Sequence, residues 1–245
     1  MDLGLDGRCY VVTGGSRGLG RATADALLAE GASVVVGARS PGATAHPAER
    51  RVAADLADPS AAERLVAAAL ELGGGLNGAL ISVGGPPPGT ALTLDDETWR
   101  TSFETVFLGA LRVVRAAEPH LGDGAALLLV LSSSAKSPIG GLAISNGLRP
   151  GLGMLVKDLA DELGPRGVRV NALLPGRVAT DRVRELDELT GDAAANRTRL
   201  EAGIPLRRYG EPAEFGRVAA FLLSPAASYV TGALVPVDGG ILRAL

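Results

Sequence analysis

Cysteine, histidine, lysine and aromatic residues are all scarce in this chain: one cysteine, two histidines, two lysines and 3% aromatics in 245 residues. Each shortage removes a class of function. The single Cys9 cannot close an internal disulfide, and it lies in an apolar run that reads as a first strand, where a buried thiol has a packing role. A reducing, cytoplasmic setting suits such a chain. Two histidines and one cysteine are too few soft ligands for a zinc or iron site, and no acidic cluster has calcium-loop spacing, so no metal is expected. Basic residues are scattered singly and the formal net charge is only −3, which leaves no basic face to follow a nucleic-acid backbone. The N-terminal Met1-Asp2-Leu3-Gly4-Leu5-Asp6 lacks the basic-then-apolar order of a secretory signal. The longest apolar run, Ala125 to Leu131, is far too short to span a bilayer, so no membrane partner is expected.

What the chain has in quantity is apolar residues, 47% of the total, arranged as short β-branched runs alternating with longer alanine- and leucine-rich segments. That alternation predicts βαβ units and a parallel sheet. Strands are expected at Cys9 to Val12, Ser33 to Val36, Arg51 to Ala53, Ala79 to Ser82, Ala125 to Leu131, Val168 to Leu173 and Ala233 to Pro236. Helices are expected at Gly18 to Glu30, Pro59 to Leu72, Glu97 to His120, Pro150 to Leu163 and Pro212 to Leu223. No interval reads as a linker or a repeat, so residues 1–245 are expected to form one α/β domain, a Rossmann-type doubly wound sheet of about seven strands with helices on both faces. The stretch from Gly84 to Gly89, with three prolines inside, cannot be helix or central strand and reads as a stiff loop after the fourth strand.

In such sheets ligands bind outside the carboxyl ends of the strands. Thr13-Gly14-Gly15-Ser16-Arg17-Gly18-Leu19-Gly20 lies there, between the first strand and the first helix. Glycines permit the tight turn and a close approach to a pyrophosphate, while the helix N-terminus offers unpaired N–H groups and partial positive charge. A dinucleotide is the expected ligand. The same residues match the G-x-S-x-G nucleophile elbow of hydrolases, but only one strand precedes Ser16 and no histidine follows His120, which argues against hydrolysis. After the second strand the residues are Gly37-Ala38-Arg39-Ser40. No carboxylate is present to hold a ribose 2′-hydroxyl, and Arg39 with Arg17 can clamp a 2′-phosphate, so NADP(H) is favoured over NAD(H).

With these motifs in place the chain resembles the short-chain dehydrogenase/reductase family, most closely its 3-oxoacyl-carrier-protein-reductase-like members, over nearly its whole length. Asp55-Leu56 resembles the pair that contacts adenine. Pro175-Gly176-Arg177-Val178-Ala179-Thr180 resembles the nicotinamide-side loop, and Tyr229-Val230-Thr231-Gly232 with Val237-Asp238-Gly239-Gly240 resembles the C-terminal signature. The resemblance implies cofactor contacts from Gly14, Ser16, Arg17, Gly18, Leu19, Gly20, Arg39, Asp55, Leu56, Gly84, Pro175, Gly176, Val178 and Thr180. It also implies a substrate lid at 181–204, helical at Arg182 to Glu188 and Ala193 to Glu201, and a homo-oligomer, dimer or tetramer, in which the apolar segment Ile241 to Leu245 joins an interface.

The catalytic positions depart from the family. Ser132 falls at the serine position. Laid without gaps from Ser132 through Lys157 to Glu162, the tyrosine position is Ser145 and the lysine position is Arg149. Val106 stands about where an asparagine belongs, and the loop after the fourth strand reads Ser82-Val83-Gly84-Gly85. A phenol, with a pKa of about 10, is a usable acid once a neighbouring ammonium lowers it; a serine hydroxyl is far weaker and shorter by a ring. Ser133, Ser134 and Lys136 are the nearest replacement donors in sequence, whereas Tyr209 reads as packing and His120 as a helix-end residue. Pro150 disfavours helical geometry at Arg149, so the helix is expected to start or kink there, leaving Ser145 and Arg149 free to lie on different faces. The expectation is an NADP(H)-dependent oxidoreductase acting on a small carbonyl or alcohol with a non-standard proton donor. The alternative is a catalytically silent NADP(H)-binding sensor or assembly subunit.

Overall fold

Seven strands, all parallel, make one sheet in the order β3-β2-β1-β4-β5-β6-β7 in a computed structural model that describes residues 2–44, 46–188 and 191–244. They are β1 (Cys9–Thr13), β2 (Ser33–Ala38), β3 (Glu49–Ala53), β4 (Leu76–Ser82), β5 (Leu121–Val130), β6 (Arg169–Pro175) and β7 (Leu234–Val237). The helices are α1 (Gly18–Ala29), α2 (Ala61–Gly73), α3 (Asp96–Ser102), α4 (Gly109–Ala117), α5 (Ala143–Leu163), α6 (Asp181–Glu188), α7 (Ala193–Gly203) and α8 (Pro212–Leu223). This is the doubly wound Rossmann-type arrangement, with strand order reversing between β1 and β4.

Strands covered on both faces need apolar side chains at every position, and the runs in β1, β2 and β5 supply them. Val11, Val35, Ile81, Leu127 and Leu129 point into a core beneath α2, α4 and α5. Their neighbours Tyr10, Val12, Val34, Val36, Leu80, Leu128 and Val130 point into a second core beneath α1 and α8. The period of two therefore divides each strand between two cores. Helices α1 and α8 touch at the backbone, since a Cβ on Gly216 would sit 2.3 Å from the Ala22 carbonyl oxygen. Among the described residues no helix is long and apolar enough to cross a membrane.

Three expectations from sequence need correction. The fourth and fifth strands begin earlier than their β-branched cores suggest, at Leu76 and Leu121, and the third begins at Glu49, because neighbouring backbone pairing extends past the apolar residues. The expected long helix from Glu97 to His120 is three pieces: α3, a wide π turn over Phe103–Leu108, and α4 ending in a 3-10 turn over Glu118–His120. A π turn inserts a residue into helical register, which apolar periodicity cannot reveal. Finally, α5 begins at Ala143 and runs unbroken past Pro150 to Leu163. Its first turn is anchored by Asn146, whose side chain accepts from the Ile139 N–H and donates to the Ile139 carbonyl, both at 2.9 Å. Burial of Ile144 and Leu152 in the cores offsets the missing proline bond.

Replacing Gly216 by alanine should force α1 and α8 apart. Urea denaturation is expected to show a loss of about 1–3 kcal/mol, with the m-value unchanged.

Candidate active site

The turn between β1 and α1 is built by close backbone approach. The Thr13 hydroxyl donates to the Ser82 carbonyl and accepts from the Ser82 N–H, both at 2.8 Å, which ties the carboxyl ends of β1 and β4 together where strand order reverses. Gly14 follows with φ +61, and a Cβ there would lie 2.8 Å from the same carbonyl oxygen. A Cβ on Gly20 would lie 2.4 Å from the Gly14 carbonyl oxygen, so helix and turn meet only because both residues are glycine. Helix α1 starts at Gly18 with Arg17 as an extended residue that makes no side-chain cap. Its first N–H groups and the positive end of its dipole therefore face the half-buried Ser16 and Leu19 unclaimed, which is a cradle for a phosphate. Thr180 approaches Gly18 from the loop after β6, bringing together segments far apart in the chain.

Toward the edge of the sheet, Arg39 leaves β2 exposed and has no ion pair among the described residues, while Arg17 lies 3.7 Å from Glu185. The segment behind Arg39 is held by a buried carboxylate. Glu49 accepts from Arg21 at 2.7 Å, Arg51 at 2.8 Å and Thr44 at 3.0 Å, and Arg51 also donates to the Pro41 carbonyl. Burial alone would raise the Glu49 pKa, but these donors hold it below the usual value. Asp55 is exposed and accepts from the Ala57 N–H, and Leu56 packs against Gly109. Gly84, past the end of β4, is exposed with open space where a side chain would stand.

On the other side of the reversal point stands a chain of hydroxyls. Ser132 caps a single 3-10 turn, Ser133–Ala135, its Oγ accepting from the Ser134 N–H at 3.1 Å. The buried Ser134 and Ser145 hydroxyls share a hydrogen bond of 2.8 Å. Arg149 follows Ser145 by one helical turn, and both are buried: a helix starting at Pro150 would have left them free to lie on different faces, but α5 runs from Ala143 and places residues four apart on one side. Arg149 is only 5% exposed. Its Nη1 donates to the Val130 carbonyl at 2.7 Å, its Nε has no partner, and no carboxylate among the described residues pairs with it. Desolvation pulls its pKa down to about 10, and an unpaired buried ion costs several kcal/mol even after relaxation.

No phenol serves this cluster. Tyr10 donates to the Leu223 carbonyl beneath α8, Tyr209 donates to Asp187, and Tyr229 is fully exposed beyond α8. Burial pushes the Tyr10 and Tyr209 hydroxyls up to about 12. Val106 is buried in the π turn, Ser133 is half-buried, and Lys136 is exposed.

The Pro175-to-Thr180 loop is propped by the C-terminal segment. Gly176 donates to the Val237 carbonyl at 3.1 Å, and a Cβ on it would strike Asp238 at 2.6 Å. Val178 and Thr180 are buried, and the Thr180 N–H turns back to the Val178 carbonyl at 2.7 Å. Above this loop, α6 and α7 form a pair that reaches both rims of the cleft. Arg182 donates to the Pro86 carbonyl at 3.1 Å, and Glu185 stands between Arg182 at 3.6 Å and Arg17 at 3.7 Å. The pair is stitched down by the buried Asp187, which accepts from Tyr209 at 3.0 Å, Asn196 at 3.0 Å and Arg177 at 3.3 Å. Sequence reading took Tyr209 for plain packing; the contact with Asp187 depends on two segments whose meeting no local pattern signals. A cleft of about 650 Å³ opens beside Gly18, Thr180 and Arg184, between α1 and α8.

The sequence-derived residues thus gather along one edge of the sheet: the glycine turn, Arg39 and Asp55 on one side of the reversal point, and Ser132, Ser145, Arg149 and the Pro175 loop on the other. The Ser134–Ser145 pair, the isolation of Arg149 and the Arg17–Glu185–Arg182 bridge emerge only in three dimensions. A family model described as Enoyl-(Acyl carrier protein) reductase matches residues 14–242. The chain is 37% identical over 254 residues to the L-rhamnose 1-dehydrogenase (NAD(P)(+)) of Azotobacter vinelandii, covering 96% of each. It is 35% identical over 252 residues to the galactitol 2-dehydrogenase (L-tagatose-forming) of Cereibacter sphaeroides, covering 96% of this chain and 95% of the other. Among solved structures, L-sorbose reductase from Gluconobacter frateurii, complexed with NADPH and L-sorbose, superposes with a TM-score of 0.91 at 29% identity, covering all of both chains.

The hydroxyl pair can be tested apart from any activity. Ser134→Ala leaves a buried hydroxyl at Ser145 without its partner and should cost about 1–3 kcal/mol by urea denaturation. The S134A/S145A double variant should lose less than the sum of the two single losses, a coupling of at least ~0.5 kcal/mol; strict additivity would mean that the two hydroxyls do not interact.

Proposed function

This chain belongs to the short-chain dehydrogenase/reductase family of oxidoreductases, and from that premise we propose that it is an NADP(H)-dependent member. It moves hydride between the nicotinamide and a small carbonyl or alcohol without a phenol as proton donor. The observation that carries the reading is the cradle at Gly14 and Gly20, where the uncapped end of α1 meets two arginines, Arg17 and Arg39, and no carboxylate stands at the end of β2.

In this reading the α1 N–H groups and Ser16 hold the pyrophosphate, Arg17 and Arg39 take the 2′-phosphate, Asp55 and Leu56 flank the adenine, and Gly84 leaves room on the ribose path. Pro175, Gly176, Val178 and Thr180 position the nicotinamide, with α6 and α7 as the lid. The bound dinucleotide supplies or accepts the hydride. Ser132 and Ser145 orient the carbonyl oxygen by donating hydrogen bonds, and the proton comes from water, because a serine hydroxyl is too weak an acid. Losing general acid catalysis costs ~10²–10⁴ in rate, or roughly 3–5 kcal/mol of barrier, so a slow enzyme is expected. The relatives that act on L-rhamnose and galactitol, and the reductase that binds L-sorbose, make polyhydroxylated carbonyls the first compounds to screen. The resemblance of the sequence motifs to 3-oxoacyl-carrier-protein-reductase-like members adds 3-oxo compounds. A homo-oligomer is part of the reading: Met154 and Leu206 expose apolar side chains on the flanks of the sheet.

One set of substitutions favours a second reading. Ser145, Arg149 and the buried Val106 together remove the family's proton path, as a protein that binds NADP(H) without turnover would allow. Fluorescence titration with NADPH and NADH, followed by a screen of aldehydes, ketones and sugars for NADPH oxidation, separates the two. The enzyme reading expects binding with slow turnover; tight binding and no oxidation across the panel supports the silent binder, and no binding at all overturns both. Arg39→Ala should weaken NADPH about 10–100-fold, the worth of one charge-assisted contact, and leave NADH unchanged.

Because no side chain at the reacting centre titrates near neutrality and Arg149 stays charged up to about pH 10, kcat should be flat between about pH 6 and 9. A sigmoidal profile in that range would point to a titrating acid instead.

A further inference from the structure

Arg149 is a buried cation at the carboxyl side of the sheet whose hydrogen bonding is left incomplete. It lies on the buried face of α5, one turn beyond Ser145, with its guanidinium brought to the end of β5, where Val130 accepts from Nη1. Nε is sealed from solvent and has no partner among the described residues. A guanidinium has five N–H donors and no means of shedding its charge at neutral pH. The acidic residues of its own helix, Asp158, Asp161 and Glu162, lie two to three turns farther on and on the exposed face. The one partner it has among the described residues is neutral, the Val130 carbonyl, and the Ser134–Ser145 hydroxyl pair one helical turn earlier on α5 is neutral too. Hydroxyls and a carbonyl can satisfy single donors, but they cannot neutralise a cation held away from water.

The phosphates of a dinucleotide are not the missing anion. Their cradle is at the end of β1, whereas Arg149 stands at the end of β5, two strands along the sheet, roughly 10 Å away at the usual strand spacing. Nor does a ribose hydroxyl supply charge. We propose that Arg149 receives an anionic group of the substrate, a carboxylate next to the reacting carbon, so that the substrate class is an oxo acid or hydroxy acid rather than a neutral sugar or ketone. The division of labour follows from the side chains present. Ser132 and Ser145 donate to the carbonyl or hydroxyl oxygen that changes, and the planar guanidinium takes the carboxylate that does not. A lone buried cation is retained against its folding cost because the ligand brings the counter-charge, which also rejects neutral analogues, since binding them would leave the charge unpaired.

This inference rests on the oxidoreductase reading for the identity of the reacting carbon, but the charge preference can be measured without turnover. Pyruvate, 2-oxobutyrate and glyoxylate are compared by calorimetry and thermal shift with methyl pyruvate, methyl 2-oxobutyrate and methyl glyoxylate, each with and without NADPH. At least one acid is expected to bind tenfold or more tighter than its neutral partner. Arg149→Met should melt no lower than the parent, because it removes an uncompensated charge, and should lose the preference; Arg149→Lys should keep a weakened form of it. Equal responses to acid and neutral partner in all three pairs, absence of response included, overturn the proposal. So does a preference that survives in R149M, or a marked fall in the melting temperature of R149M, which would make Arg149 a structural tie to the Val130 carbonyl. A failed NADPH titration beside an intact acid preference would remove the cofactor reading alone.

Discussion

Where β1 and β4 end side by side, one hydroxyl holds two strands. Thr13 donates to the carbonyl and accepts from the N–H of Ser82, and everything that can bind a dinucleotide is arranged around that tie. The strand order reverses there, so the helices before and after diverge to opposite faces and leave a crevice. The crevice is narrow at its floor because Gly14 lies against Ser82 and Gly20 against Gly14 with no room for a Cβ. That closeness delivers the free end of α1 to the crevice, and the same contact draws Thr180 and the loop after β6 to its far wall. A side chain at any of these places would push the helix end out and the anion cradle would disappear.

Across the crevice a serine hydroxyl pairs with another serine, and a guanidinium turns to a backbone carbonyl. A guanidinium cannot pass on a proton, so a phenol beside it would gain little, and a buried valine at 106 offers no polar group to carry a relay. The described residues there are thus hydroxyls and one fixed positive charge.

The helix pair α6 and α7 completes the enclosure through charge. Arg182 reaches the proline-rich loop after β4, Glu185 joins Arg182 to Arg17, and the buried Asp187 pins the pair to Tyr209 and Arg177. The Glu185 ion pairs are exposed and individually weak; the Asp187 cluster is shielded from water and keeps the pair attached. A 2′-phosphate arriving at Arg17 would compete with Glu185 for the same guanidinium, which links occupation of the cradle to the position of the cover.

Sequence by itself determined the alternation of strands and helices, the parallel sheet and the glycine turn, because each depends on side-chain period or residue type at neighbouring positions. It misjudged the helix through Pro150 and the π turn at Phe103–Leu108. In both cases packing against the rest of the molecule outweighed a local preference: burial of Ile144 and Leu152 and the Asn146 clasp hold α5 together through the proline. Only the tertiary structure decided that Ser145 and Arg149 share a face, that Ser134 meets Ser145, and that no carboxylate among the described residues pairs with Arg149. Those facts are distances between segments remote in the chain, and charge neutrality inside a protein is settled by which segments meet, not by the order in which they are written.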